Sequence, residues 1–427
     1  MSGRERRAGV TVLVVGGKLQ GVEICYLARQ AGYRTVLVDR YAGVPASGLA
    51  DEFVGADALD AQTLLPLFQE ADIVFPAVED AQVLEALLGY GERTRTPVVG
   101  DLRSYRTSSS KAASNALFAR VGVPEPAAYP ECGLPVVVKP DGLSGSLGVT
   151  RADTPEQLEQ ARAALGGGAV VQRFIEGRSF SMEVIGDGER FWKLPITEVC
   201  IAPDYDAERI IAPADLTDDE RAQFEAIGQR LGERLRIDGI FDIEVMSDEG
   251  RLATLEIDAR FPSQTPVSVY HATGINMVAE LTEMRLASDA YTAPQPTRTG
   301  ACWYQQIEVG PDGLKLTGEH PISACGPLAL IPSLYGAEAV LTDVPAAWGV
   351  EGEGGAGIGA GTGTGSGADA TALPAPPWRA IVITAGPDCA SAGARFDRCA
   401  AEMAAAAQMR LLSADMRVKG EGHVQVR

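Results

Sequence analysis

The stretch FDIEVMSDEGRLATLEIDARF, residues 241–261, puts more acid on one strand face than a sheet ordinarily tolerates. It reads as a β-hairpin turning at SDEGR, and in a strand alternate side chains share a face. Asp242 and Glu244 therefore point together, and Glu256 and Asp258 do the same on the partner strand. The intervening Phe241, Ile243, Val245, Leu255 and Ile257 assign the other face to the core. Four carboxylates on adjacent strands repel unless something positive sits among them, and only Arg260 is near in sequence. The bland alternative is a solvated strand face balanced by neighbouring Lys or Arg. With one face in the core and all the acid on the other, a hard dication is favoured. Mg2+ takes oxygen ligands and keeps phosphate oxygens in its shell, so it is the expected ion.

A phosphate site is legible upstream. LPVVVKPDGLSGSLGV, residues 134–149, ends an apolar strand on Lys139 and runs into Gly142, Ser144, Gly145, Ser146 and Gly148. Backbone N–H groups of such a loop form an anion nest, and the lysine adds a point charge. An ordinary hairpin is the alternative. Lys111, after three serines at a helix start, is a second phosphate candidate, although a lysine near a cap is common. AVVQRFIEGRSFSMEVIGDG, residues 169–188, reads as two strands joined at Glu176-Gly177, with Val171 to Ile175 apolar enough to sandwich an aromatic base. Phosphoryl transfer needs mostly positioning and charge neutralisation, so these parts suffice without a histidine. An ATP-dependent enzyme follows.

The chain opens differently. VLVVGGKLQG, residues 12–21, is a buried-looking strand, a glycine turn and a helix start. Gly16 and Gly21 keep the spacing of a dinucleotide fingerprint, but Lys18 occupies the gap where a second glycine lets backbone approach a pyrophosphate. Asp39 falls near where a ribose-binding acid would sit. Apolar runs alternate with amphipathic stretches up to about residue 100, which predicts a parallel sheet covered by helices. We divide the chain into an N-terminal α/β domain (1–108), a nucleotide-binding domain (109–298) and a small α+β domain (299–427). The last contains a low-complexity glycine-rich insertion at about 349–377, with no catalytic role expected.

Bulk properties narrow the classes. The net charge of −20 argues against nucleic acid or an anionic membrane as partner. Seven cysteines, never spaced CxxC, suit reduced thiols rather than a disulfide framework or zinc site. Three histidines (271, 320 and 423) leave little for a His-dependent metal site or a serine triad. The polar N-terminus lacks a signal-peptide pattern, no apolar run is long enough to span a membrane, and a cytoplasmic location is expected. Exposed strands in the first or last domain are compatible with a two-fold homodimer.

This order of parts resembles the ATP-grasp superfamily. Within it the chain is most similar to the carboxylate–amine ligases of pyrrolysine biosynthesis. VVGGKLQG, ADEF, GVPEP, SMEVIGDG, FDIE, LEIDARFPSQTP and TGEHPISACGPL carry the likeness. Most ATP-grasp enzymes have E-x-N in the last metal strand, so Glu256-Ile-Asp258 followed by ARFPSQTP is the more specific marker.

The resemblance implies an ATP-grasp fold with a Rossmann-like N-terminal domain, and two Mg2+ ions on Asp242, Glu244, Glu256 and Asp258. It implies that ATP phosphorylates the carboxylate of 3-methyl-D-ornithine (or D-ornithine), and that the ε-amine of L-lysine attacks the acyl phosphate. Lys18, Leu19 and Gln20 then approach the nucleotide or acyl phosphate, with Lys18 and Arg260 in catalytic roles. Lys111, Lys139, Ser144, Gly145 and Ser146 meet phosphates, and Gln172, Arg173, Phe174 and Ile175 form the adenine hinge. Glu79, Ser181, Glu183, Arg260, Ser263, Gln264 and Thr265 bind substrate. Two positions depart from the pattern: Ser110 stands where many members have an acid before the first lysine. Ser179, grouped with the ATP residues, stands where a ribose-binding acid is expected. Rival readings are an NAD-type oxidoreductase, a different ATP-grasp enzyme such as a carboxylase subunit or another carboxylate–amine ligase, and a non-catalytic ATP-binding module.

Overall fold

VTVLVV folds as expected, because a continuous run of β-branched residues suits a strand buried on both faces. The structure, a computed structural model, describes residues 9–142, 145–166, 168–203, 205–287, 291–310, 312–344 and 377–420, with side chains to residue 408. Apart from residue 377, the glycine-rich segment lies outside these residues.

The N-terminal unit runs β1 (Thr11–Val15), α1 (Leu19–Gln30), β2 (Arg34–Asp39), β3 (Glu52–Gly55), α2 (Ala61–Glu70), β4 (Ile73–Pro76) and α3 (Ala81–Thr94). Its sheet is parallel in the order β3-β2-β1-β4. TPVVGD, the last apolar run before residue 100, joins the sheet through a bridge between Val98 and Val74. Strand order reverses at β1, so the loops after β1 and β4 open side by side at the carboxyl edge. That brings Gly16–Lys18 next to Glu79.

Two helices, α4 (Leu102–Ser108) and α5 (Lys111–Val121), lead to a small antiparallel sheet. It contains β5 (Val136–Pro140), β6 (Thr150–Ala152) and β7 (Ala169–Arg173), with α6 (Pro155–Leu165) packed on it. A larger sheet follows, beginning with β8 (Arg178–Asp187), β9 (Phe191–Lys193), β10 (Thr197–Ile201) and β11 (Ala207–Ala212). Next come α7 (Asp218–Leu235), β12 (Asp238–Asp248), β13 (Arg251–Asp258), α8 (Thr265–Thr273) and α9 (Met277–Ala287). The remainder is β14 (Ala301–Gly310), β15 (Gly313–Leu316), α10 (Glu319–Ser323), β16 (Ala329–Pro332), β17 (Ala339–Thr342), β18 (Trp378–Gly386) and α11 (Cys389–Gly420).

The larger sheet has 11 strands in the path β13-β12-β8-β10-β11-β14-β18-β17-β16, with β9 on β8 and β15 on β14. Pairing of β11 with β14 carries it across residue 298 without a break. One expected pairing is corrected here. β7 and β8 do not pair: β7 joins β5, whereas β8 lies between β12 and β10. The Glu176-Gly177 turn therefore links two sheets. Gly177 passes so close to β12 that a Cβ there would stand 1.9 Å from the Ser247 carbonyl oxygen.

A buried polar seam joins the N-terminal unit to the larger sheet. On α1, Glu23 accepts the Val267 N–H at 3.0 Å and so caps the start of α8. One turn on, the Tyr26 hydroxyl meets His271 Nε2 at 2.8 Å, and Asn276 Nδ2 donates to the Leu27 carbonyl at 2.7 Å. Burial pushes Glu23 up to about 8, and burial with the neighbouring Arg298 pushes His271 down to about 3. An unfolded His271 titrates near ~6.5, so below that pH the unfolded chain binds a proton that the native state refuses. This contribution is complete above that window and is lost as pH falls towards 3. Wild type should lose about 2 kcal/mol more than His271→Gln between pH 7 and pH 5, measured by urea unfolding. Equal losses would contradict this assignment.

Candidate active site

Register brings the acids together. Asp242 pairs with Asp258 and Glu244 with Glu256 across β12 and β13. On the other side Asp242 pairs with Glu183 and Glu244 with Ser181, which itself pairs with Thr197. Two polar rows thus cross adjacent strands. A bulge after Glu244 shifts the register so that Val245 faces Thr254. Leu255, expected in the core, is consequently only half-buried, and Thr254 takes the buried position. From α4, Ser108 accepts the Ala259 N–H at 3.0 Å, which steadies the chain between Asp258 and Arg260.

Protein cations sit among these acids. Lys111 Nζ lies 3.2 Å from Glu256 Oε2. Arg260 stands between Asp258 at 3.1 Å and Glu79 at 3.2 Å. Burial, aggravated by Glu256, pushes Glu244 up to about 8. Burial, partly offset by Arg260, pushes Asp258 up to about 7, while burial alone takes Glu183 to about 7. Burial and Asp258 hold Asp242 well above the usual carboxylate range. Glu256 differs, because Lys111 and Lys139 outweigh burial and keep it low. Lys139 is itself shifted down by burial despite Glu256. Asp242 Oδ1 and Glu183 Oε2 are buried with no hydrogen-bond partner. Among the described residues no three His, Cys, Asp or Glu side chains are already gathered as a metal cage. The orphaned oxygens and the raised acids nevertheless have the hard-donor chemistry of a dication site.

Two cavities meet over this surface. One, of about 660 Å3, is walled by Lys18, Leu19, Gln20, Glu79 and His320. The other, of about 100 Å3, is walled by Ser179, Ser181, Thr265 and the four hairpin acids. Gly145, Arg260, Ser263 and Glu319 line both. Lys18 is exposed at the start of α1, and Gln20 donates to Glu79 at 2.7 Å. A Cβ at Gly16 would stand 2.2 Å from the Ala77 carbonyl oxygen, so the turn admits only glycine there. Asp39, considered as a ribose acid, instead accepts the Gly17 and Tyr41 N–H groups at 2.8 Å each. It braces the turn from below.

The remaining expected residues divide. Ser110 caps α5 through the Ala113 N–H, and its hydroxyl also donates to Asp141, which holds the Ala112 N–H at 2.8 Å. This pairing sets Lys111 at the mouth of the loop. Gly145 and Ser146 both have positive φ, whereas Ser144 lies outside the described residues. Gln172 is buried against the Pro126 carbonyl, and Arg173 pairs with Asp248 at 2.6 Å. Phe174 lies under the Arg151 guanidinium, and Ile175 is buried. These four residues line neither cavity.

Sequence reasoning missed three residues. Glu319 accepts from Gln264 at 2.9 Å and Ser263 at 3.3 Å, and burial raises its pKa. His320 Nδ1 lies 2.8 Å from Asp206 Oδ2. The signal was present in TGEHPIS, but nothing local tells that α10 returns to β12 and β13.

Residues 109–264 match the ATP-grasp domain family. The chain is 34% identical over 316 residues to a 3-methyl-D-ornithine–L-lysine ligase from Methanosarcina barkeri, covering 73% of this chain and 84% of that one. It is also 34% identical to the Methanosarcina acetivorans protein of that name, over 63% of this chain and 71% of the other. In fold it is similar to the biotin carboxylase domain of the Hydrogenobacter thermophilus 2-oxoglutarate carboxylase. The TM-score is 0.64 at 18% identity, covering 90% of this chain and 88% of that one. The chain therefore belongs to the ATP-grasp superfamily, within the family whose members carry the name 3-methyl-D-ornithine–L-lysine ligase, and is an ATP-dependent carboxylate–amine ligase.

Proposed function

We propose that the protein joins the carboxylate of 3-methyl-D-ornithine to the ε-amine of L-lysine through an acyl phosphate, a step of pyrrolysine biosynthesis. The observation that carries this reading is the position of Arg260. It lines both the acid-lined cavity and the cavity beside Lys18 and Glu79. In this reading the first cavity takes the phosphorylation and the second takes the incoming amino acid, with one cation serving both. The relatives named for that reaction support the substrate pair.

Each residue then has a role. Asp242, Glu244, Glu256 and Asp258 would hold Mg2+, which supplies charge neutralisation on the phosphate oxygens. Lys139 and Lys111 offset the nucleotide phosphates, assisted by the backbone around Gly145 and Ser146. Arg260 draws the reacting carboxylate towards the phosphoryl group and stabilises the developing negative charge. Glu183 and Ser181 meet the ammonium and polar groups of the first amino acid. Glu79, Gln20 and Lys18 receive the second, with ammonium against carboxylate and carboxylate against lysine.

With ATP, Mg2+, L-lysine and 3-methyl-D-ornithine, repeated turnover to ADP should need both amino acids, or hydroxylamine in place of lysine, and the product mass with lysine should equal the sum of the two amino acids minus water. Glu256→Gln should lower the rate by about 10²-fold or more. ADP without a condensed product would overturn the substrate assignment, and no ADP from folded protein would indicate a binding module.

The acid rows also cost stability. At pH 7 in metal-free buffer, Asp242→Asn should raise unfolding stability by about 1 kcal/mol, because burial and the facing Asp258 disfavour the carboxylate that the unfolded chain carries freely. The same variant should lose ADP release. Destabilisation by that substitution would show that the acids do not repel.

A further inference from the structure

Amide formation requires an uncharged amine, yet the ε-amine of lysine is an ammonium near neutral pH. None of the roles above removes that proton. We propose that His320, oriented by Asp206, is the general base that deprotonates the incoming amine. The proposal rests on the ligase reading above.

The geometry is that of a carboxylate–histidine dyad. Asp206 Oδ2 is 2.8 Å from His320 Nδ1 and also accepts the His320 backbone N–H at 3.2 Å. The carboxylate therefore fixes Nδ1 as the protonated nitrogen and leaves the Nε2 lone pair to accept. The Asp206 side chain is 6% exposed and that of His320 is 41% exposed, so the anchor is buried and the acceptor is reachable. His320 lines the cavity beside Lys18 and Glu79, whereas Asp206 lines the acid-lined cavity. The dyad thus straddles the junction where an acyl phosphate and an amine would meet. A Cβ built at Gly145 would stand 3.7 Å from His320 Nε2, which sets that nitrogen against the Gly-Ser loop.

Three carboxylates lining these cavities already hold protein donors. Glu319 holds Ser263 and Gln264, Glu79 holds Gln20 and Arg260, and Asp258 holds Arg260. His271 is buried against Tyr26, and His423 lies outside the described residues. Charged groups beside His320 among the described residues include Asp206 and Glu319, with Arg260 acting on Glu319, and Lys18 and Glu79 line the same cavity.

The step balances. His320 Nε2 takes one proton from the ammonium, and the freed nitrogen lone pair attacks the acyl carbon. The bond from that carbon to the phosphate oxygen breaks with its electron pair on oxygen. The departing phosphate takes the second N–H proton, leaving amide, hydrogen phosphate and a protonated His320.

Hydroxylamine separates this step from the first half-reaction, because it is already uncharged at neutral pH and traps acyl phosphates unaided. Wild type, His320→Gln, His320→Asn and Asp206→Asn should be compared with hydroxylamine and then with lysine. Both His320 variants should form hydroxamate within about twofold of wild type. Amide formation should fall about 10²-fold at pH 7 and recover as the pH approaches the lysine pKa. Asp206→Asn should show a smaller loss of the same kind. Unchanged amide formation in the His320 variants, or equal loss of hydroxamate and amide, would overturn the proposal. A wild type that forms neither product would remove the ligase reading, and the base with it.

Discussion

Two carboxylate pairs face each other across β12 and β13, and the active site is arranged around their repulsion. Strand pairing alone would reject this register, since like charges directly opposite are unfavourable. It survives because the far face of both strands is core, with Phe241, Ile243 and Ile257 buried. Slipping by one residue would put those side chains into the cavity. The hydrophobic face thus enforces an electrostatic arrangement that Lys111, Lys139 and Arg260 only partly relieve. Activity and stability pull apart at these positions, as expected where a site is built from buried charge.

The hairpin was legible because its information is local: a period of two, a turn of the right composition, and acids on one face. The parallel N-terminal sheet was legible for the same reason, from apolar runs alternating with amphipathic stretches. What was not legible depends on contacts between distant segments. Leu255 follows the alternation of its own strand, but the bulge opposite Glu244 hands its core position to Thr254. β7 and β8 read as neighbours because few residues separate them, yet Val136 and Met246 are the kind of partners each finds elsewhere. Asp39 has the right offset for a ribose, but the turn that begins at Gly16 claims it first. Glu319 and His320 lie more than fifty residues beyond the hairpin, and only the path of β14 and α10 returns them to it.

Besides the side-chain pairs within the site, several of its segments are fixed by side chains that accept backbone N–H groups. Asp206 takes the His320 N–H, Asp141 the Ala112 N–H, Ser108 the Ala259 N–H and Glu23 the Val267 N–H. Such contacts fix the chain at the places where Lys111, Arg260, Gln264 and His320 leave it. Lys18 and Glu79 gain their proximity from topology instead, since the strand order β3-β2-β1-β4 opens the sheet between them.

The seam between α1 and α8 bears on what counts as a separable part of this molecule. Residues 109–264 define the family in sequence, but they are not a unit that could be excised. Cutting after residue 264 removes α8 just past the turn that carries Ser263 and Gln264, and takes away β14, the strand that β11 pairs with. Cutting before residue 109 removes Glu23 and Tyr26, the groups that hold α8 from the other side. Evolution of new substrates in such a chain is therefore confined to exchanging side chains in place. Recombining whole modules would sever the contacts that keep the two cavities adjoining.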